Sequence, residues 1–315
     1  LKKVLVIVGP TAVGKTALSI QLAKKFDGEI ISGDSMQVYR KLDIGTAKVT
    51  IDEKEGIPHY LIDCRELTDS YSAADFQKEG RSCIDDITSR GKLPIIVGGT
   101  GLYIQSLLYD FKLGSEDDLA STTIRQSYEL FANQHGNYAL WELLQKKDPQ
   151  AAEKIHFNNR KRVIRALEVF EKTGYSILEP KETPQKLYDY FLIGLETQRE
   201  LLYTRINQRV ELMVANGLLT EVKLFANLRS VQAAQGIGYK EFFPYFDGQE
   251  SLAEAVEKVK QQSRRYAKRQ LTWFKNRMSA NWWDLVQEPA SLTDLENQVT
   301  GWLKDSKGKK NERRA

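Results

Sequence analysis

The stretch Gly9-Pro10-Thr11-Ala12-Val13-Gly14-Lys15-Thr16 constrains this 315-residue chain more than any other. It fits G-x-x-x-x-G-K-[ST] in full, and a chance match over this length is about one in a hundred at average residue frequencies. The apolar run Val4–Val8 enters it. The segment Thr16–Phe26 leaves it, with Ala17, Leu18, Leu22, Ala23 and Phe26 near helical spacing. Strand, glycine turn and helix in that order belong to parallel α/β sheets. The glycines let successive N–H groups curl toward phosphate oxygens. The helix N-terminus adds partial positive charge, Lys15 a full one, and Thr16 a hydroxyl suited to Mg2+. A polyphosphate site follows, while the fate of the phosphates stays open.

Further short β-rich runs, Glu29–Ser32, His59–Ile62 and Leu93–Val97, alternate with helical patterns, which argues for a parallel sheet covered on both faces. Another strand, Tyr190–Leu195, comes only after a long interval. Between them, Ser115 to Pro184 reads as helical over Tyr138–Lys147 and Arg160–Thr173. The second of these sets Val163, Ile164, Leu167 and Phe170 on one face and is closed by Gly174 and Pro180. A helical block between two strands of one sheet reads as an inserted domain. The expected fold class is therefore α/β: a P-loop-type parallel sheet core flanked by helices, with an inserted all-helical domain. The core spans 1–112 and 188–290, the insertion 113–187, and a C-terminal helix with a frayed basic tail 291–315. After Glu196 the pattern reads helical to about Trp283.

Composition, with 28% charged and 41% hydrophobic residues, is that of an ordinary globular protein. No run approaches the roughly eighteen apolar residues of a membrane span, and Val4–Val8 leads into a glycine loop instead of a signal-peptide cleavage site. Cys64 and Cys83 make neither a disulfide framework nor a metal quartet, and His59, His135 and His156 are too scattered for a metal site. A cytoplasmic protein with no membrane association is expected. The net charge of +4 says little, but its distribution says more. Between Lys258 and Arg277 stand Lys258, Lys260, Arg264, Arg265, Lys268, Arg269, Lys275 and Arg277, with no acidic residue and with Tyr266, Trp273 and Phe274 interleaved. Either a solvated amphipathic helix or a polyanion-binding face produces such a run.

A P-loop ATPase or kinase next needs an apolar strand ending in an Asp for the metal. Leu93–Val97 ends instead in Gly98-Gly99-Thr100-Gly101, a turn whose backbone can approach a ligand and whose Thr100 offers a hydroxyl. His59–Asp63 fits superficially, leaving Asp63 a metal ligand or a turn former. Asp34, at the end of the second strand, is a cap or turn former, or else a metal ligand or general base beside the phosphates.

GPTAVGKT, SGDSMQVYR followed by DIGTAK, YSAADF, GGTGLY, RVIRALEVFE and GIGYKEF occur in this order between residue 4 and about 283. Together they closely resemble the tRNA dimethylallyltransferases, also called tRNA isopentenyltransferases, of bacterial type. The resemblance implies transfer of a dimethylallyl group from dimethylallyl pyrophosphate to N6 of the adenosine 3′ of the tRNA anticodon, with Mg2+. It implies Asp34 as general base, Thr100 as the hydroxyl on the bridging oxygen and Arg209 as pyrophosphate clamp. Contacts to the tRNA anticodon stem-loop carry over to Asp34, Ser35, Met36, Gln37 and Thr100, to Asn158, Asn159, Arg160, Lys161 and Arg162, and to Gln235, Gly236, Ile237, Gly238, Tyr239 and Lys240. An adenine inside a stacked loop must be flipped out to react. Two departures from the family's pattern stand out: Val13 replaces a common Ser, and no Cys/His zinc finger follows the core. A monomer is expected. The P-loop alone would also suit a nucleoside or small-metabolite kinase, and the basic run alone a nucleotide-gated RNA-binding module.

Overall fold

The computed structural model describes residues 1–111, 113, 119–179 and 184–311. Six strands form one sheet in the order β3-β2-β4-β1-β5-β6: β1 Lys3–Val8, β2 Gly28–Ser32, β3 His59–Tyr60, β4 Leu93–Gly98, β5 Asp189–Leu195 and β6 Asn281–Trp283. Every neighbouring pair is parallel. Parallel strands bury both faces, which is why the central ones read as unbroken apolar runs. In β1 the period of two is nevertheless legible. Val4, Val6 and Val8 join one apolar cluster with Phe76, Ile84, Ile104 and Phe274, while Leu5 and Ile7 join another with Leu18, Leu22, Leu295 and Val299. The α/β fold class is that expected.

The edge strand β6 was not legible, since Asn281–Trp283 is three residues long and continues a helical pattern. Pairing with β5 makes it a strand. Strand β3 is also shorter than expected. It stops at Tyr60, because Leu61 and Asp63 take left-handed backbone angles (φ 60° and 54°).

The chain divides into two compact units, one of residues 1–111 and 186–315, the other of residues 112–185. The C-terminal helix Leu292–Asn311 packs on the sheet unit through Leu295 and Val299. The basic tail beyond residue 311 and Pro180 lie outside the described residues. The second unit, among its described residues, consists of helices: Leu119–Lys147 with a break at Gly136, Pro149–Lys154 and Arg160–Thr173. Its core is Leu140, Leu144, Ile155, Val163, Ile164 and Leu167. Gly174 ends its last helix in the left-handed conformation (φ 71°).

The long excursion between β2 and β3 is tied down by two buried charges. Glu221, on the short helix Leu218–Val222, accepts backbone N–H bonds from Asp43 (2.9 Å), Ile44 (2.8 Å) and Gly45 (2.9 Å) and the Tyr239 hydroxyl (2.6 Å). Lys48, its side chain 4% exposed, pairs with Asp43 (2.8 Å) and Asp63 (2.5 Å) and donates to the Tyr39 carbonyl. Glu221→Ala leaves three amides and a phenol without their acceptor. The expected cost is about 3 kcal/mol, read as a lower urea midpoint at unchanged m-value. A loss under about 0.5 kcal/mol would mean that water replaces the carboxylate freely.

Candidate active site

Because all strands run the same way, their carboxyl ends share one edge, and the turns after β1, β2 and β4 meet there. The turn after β1 is the P-loop. Gly14 stands at φ 107°, a backbone angle open to glycine, and caps the helix Lys15–Phe26. Lys15 Nζ bonds the carbonyls of Gly9 (2.9 Å) and Pro10 (2.7 Å). Val13 is buried against the sheet in the second apolar cluster, so a side chain there serves the core and its backbone alone serves the loop. One loop amide is already engaged, since Thr11 N–H donates to Gln270 Oε1 at 2.9 Å. Thr16 is exposed and borders a small cavity of about 30 Å³ lined by Ser19, Ser32, Gln37 and His59 together with Ile30, Val49, Ile62 and Val97.

After β2, Asp34 Oδ1 accepts the N–H groups of Met36 (2.8 Å) and Gln37 (3.3 Å), which closes the turn and fixes the carboxylate. After β4, the Thr100 hydroxyl accepts Ser35 N–H at 3.2 Å and faces Ser35 Oγ at 3.4 Å. Asp34 and Thr100 therefore sit on adjoining turns. The Tyr266 phenol, facing Thr100 and Gln270, is pushed up to about 12, chiefly by burial and then by the Asp34 charge.

Thr11 of the P-loop and the turn after β2 line a cleft of about 360 Å³, while Lys15 and Thr100 are not among its lining residues. Its lining includes Thr11, Asp34, Ser35 and Met36 from the sheet edge, Arg209 from the helix Arg199–Ala215, and the whole loop Gln235, Gly236, Ile237, Gly238, Tyr239 and Lys240. Ile206, Val210, Met213 and Val259 make an apolar stretch of wall, and Tyr266 and Arg269 stand on the long helix Leu252–Arg277. Lys15 is drawn down to about 7 by burial and by the Arg209 guanidinium, with Asp34 opposing. Arg209 is itself lowered by burial, with Asp34 holding it up. Two cations and one carboxylate thus act on one another in a confined space.

Not every residue expected at the site lines the cleft. Gln37 turns away from it, accepting from Ser32 Oγ (3.0 Å) and donating to the Thr46 and Ala47 carbonyls. Asn158, Asn159, Arg160, Lys161 and Arg162 belong to the helical unit. There Arg160 is occupied by Glu129 and Asn133, whereas Lys161 and Arg162 are exposed. Asp63 pairs with Lys48, which gives it the turn role. Among the described residues no cluster of three or more His, Cys, Asp or Glu side chains is arranged to hold a metal. Nor is any helix long and apolar enough to cross a membrane.

The basic run 258–277 is less bare than its sequence. Folding brings Glu250 to Lys258, Glu211 to Lys260, Glu257 to Arg264 and Glu196 to Lys275. Arg265, Lys268, Arg269 and Arg277 make no ion pair among the described residues. Arg269 lies over Tyr266 and Arg277 over Trp273. Sequence reasoning missed Glu221, Lys48 and Gln270, each a polar residue in a patterned segment with no local mark of burial.

A family model described as IPP transferase matches residues 37–277. The chain is 73% identical over 303 residues to a tRNA dimethylallyltransferase of Enterococcus faecalis, covering 96% of this chain and 98% of that one. It is 56% identical over 307 residues to that of Bacillus mycoides, covering 96% of each. The full-length tRNA isopentenylpyrophosphate transferase of Bacillus halodurans superposes with a TM-score of 0.75 at 45% identity, over 99% of this chain and 100% of that one. A eukaryotic dimethylallyltransferase described as acting on tRNA superposes with a TM-score of 0.78 at 33% identity, over 97% of this chain and 80% of that one. On matches that run nearly end to end, the chain belongs to the tRNA dimethylallyltransferase (IPP transferase) family.

Proposed function

We propose that this chain transfers the dimethylallyl group of dimethylallyl pyrophosphate to N6 of the adenosine 3′ of a tRNA anticodon, releasing pyrophosphate. What carries the reading is the shared cleft. Asp34 and Arg209 line it with an apolar wall and the 235–240 loop, and Lys15 feels the charge of both. In the reaction N6 forms a bond to C1 of the dimethylallyl group as the C1–O bond breaks, and the electron pair of that bond leaves with pyrophosphate. Negative charge grows on the leaving oxygen. P-loop amides, Lys15 and Arg209 stabilise it, and the Thr100 hydroxyl donates to the bridging oxygen. The exocyclic amine is a weak nucleophile, so Asp34, held by two amides of its own turn, takes the N6 proton.

Thr16 is exposed at the start of the helix Lys15–Phe26 and would offer one hydroxyl to a Mg2+ ion carried with pyrophosphate, an ion that needs only one or two protein ligands. Such an ion would supply charge neutralisation of the leaving group. The flipped adenine enters between the Asp34–Met36 turn and the 235–240 loop. The anticodon stem-loop reaches Lys161 and Arg162 on the helical unit, and Arg265, Lys268, Arg269 and Arg277 on the long helix. The protein works in the cytoplasm as a monomer.

Asp34→Ala is expected to abolish transfer almost completely while tRNA binding stays within about threefold, because the carboxylate acts on the N6 proton and carries no phosphate contact. Nucleoside mass spectrometry of tRNA incubated with dimethylallyl pyrophosphate and Mg2+ reads the first, and filter binding the second. Unchanged transfer would remove Asp34 as the base.

Burial and the Arg209 guanidinium draw Lys15 down to about 7, and a bound pyrophosphate would hold its proton in place. Donor affinity should therefore fall by about tenfold or more between about pH 7 and pH 9 as the free lysine loses its proton. Lys15→Arg, which cannot deprotonate, should flatten that dependence. A profile that is flat in the parent would contradict it.

Phosphate contacts also make tRNA affinity fall steeply with salt. Replacing Lys268 and Arg277 together by Ala should lower the log–log slope by about one to two. Replacing Lys260, already paired with Glu211, should leave it unchanged. Equal slopes for all three proteins would sink the proposed RNA face.

A further inference from the structure

Gln270 is 5% exposed, on the long helix Leu252–Arg277, and both ends of its amide are used across the active site. Oε1 accepts the Thr11 N–H of the P-loop at 2.9 Å. Nε2 donates to the carbonyl of Gly99 at 3.2 Å, one residue before Thr100. The turn is pressed against this helix. A Cβ on Gly99 would lie 1.9 Å from Gln270 Nε2, and one on Gly101 would lie 2.1 Å from the Trp273 ring. Gly99 and Gly101 thus admit the helix, where the sequence pattern suggested a ligand. One side chain thereby links the loop that holds the leaving group to the turn that carries its hydroxyl.

We propose that Gln270 is a positioning residue that fixes the P-loop relative to the Thr100 turn, and so sets the reach of the Thr100 hydroxyl to the bridging oxygen. The inference rests on the reading of Thr100 given above. Only a group with an acceptor and a donor on one planar end serves both partners. Glutamate keeps the acceptor but sets a carboxylate oxygen against the Gly99 carbonyl, until protonation restores an O–H that can donate. Methionine fills the space and bonds neither. Because binding uses amides and cations that remain, the loss falls on the chemical step, where about 1 Å of misplacement costs on the order of a hundredfold.

The test measures kcat and donor KM for Gln270→Met, Gln270→Glu and Thr100→Ala in the full chain, with tRNA saturating. Gln270→Met should lower kcat by about thirty- to a hundredfold, with donor KM within about threefold of the parent. Gln270→Glu should be similarly slow at about pH 8, and its rate relative to the parent should climb as pH falls and the carboxyl takes up a proton. Packing alone would not produce that recovery. A parental kcat in Gln270→Met, a loss carried wholly by KM, or a Gln270→Glu to parent ratio independent of pH would each overturn the inference. Should the methionine variant not fold, the glutamate pH ratio decides alone. Thr100→Ala with parental kcat would overturn the reading of Thr100 itself. An inactive Thr100→Ala beside a fully active Gln270→Met would overturn only the role given to Gln270.

Discussion

The parallel direction of all six strands is the constraint on which the site depends. A parallel sheet sends every strand out at the same edge, and each return crosses a face under a helix. Residues 9–16, 33–37 and 98–101, far apart in the chain, then have no choice but to be neighbours. The order β2-β4-β1 sharpens this further: β4 lies between the strands bearing Asp34 and the P-loop, so its turn contacts both. Thr100 reaches Ser35 on one side, while Gly99 is tied through Gln270 to Thr11 on the other.

The opposite wall of the cleft comes from the carboxyl-terminal half of the chain and is held differently. Arg209 and the apolar residues Ile206, Val210 and Met213 come from the helix Arg199–Ala215, and the 235–240 loop faces them from irregular backbone. Irregular backbone needs external partners for its polar groups, and buried charge supplies them here. Glu221 joins the loop's Tyr239 to the amides of Asp43–Gly45, and Lys48 joins the same excursion to Asp63. These are high-stakes interactions, because each buried charge is satisfied only while several partners stay in place.

The long helix Leu252–Arg277 meets both halves. Its buried face carries Ala255, Val259, Ala267, Gln270 and Phe274, while Arg265, Lys268, Arg269 and Arg277 are exposed. In sequence its basic run looks uncompensated. Half of the run is neutralised, Lys258 and Arg264 by the nearby Glu250 and Glu257 and Lys260 and Lys275 by the distant Glu211 and Glu196, and the free charge gathers at Arg265, Lys268, Arg269 and Arg277. A polyanion would feel a narrower and more directed surface than twenty residues of sequence imply.

The P-loop, the strand–helix alternation and the helical insertion were legible because each depends on local pattern: glycine spacing, apolar runs, and a period that changes from two to 3.6. Asp34, Thr100 and the 235–240 segment were legible as candidates through family motifs, and Asp34 and Thr100 also as residues at strand ends. Sequence could not tell that Gln37 turns inward, that Arg160 is occupied within its own unit, or that Asp63 pairs with Lys48. Nor could it distinguish Glu221 and Gln270 from ordinary surface polar residues. Those roles exist only through partners up to 259 residues away, so tertiary structure alone decides them. Local sequence specifies which groups the chain owns, and packing decides which of them are left free to meet a substrate.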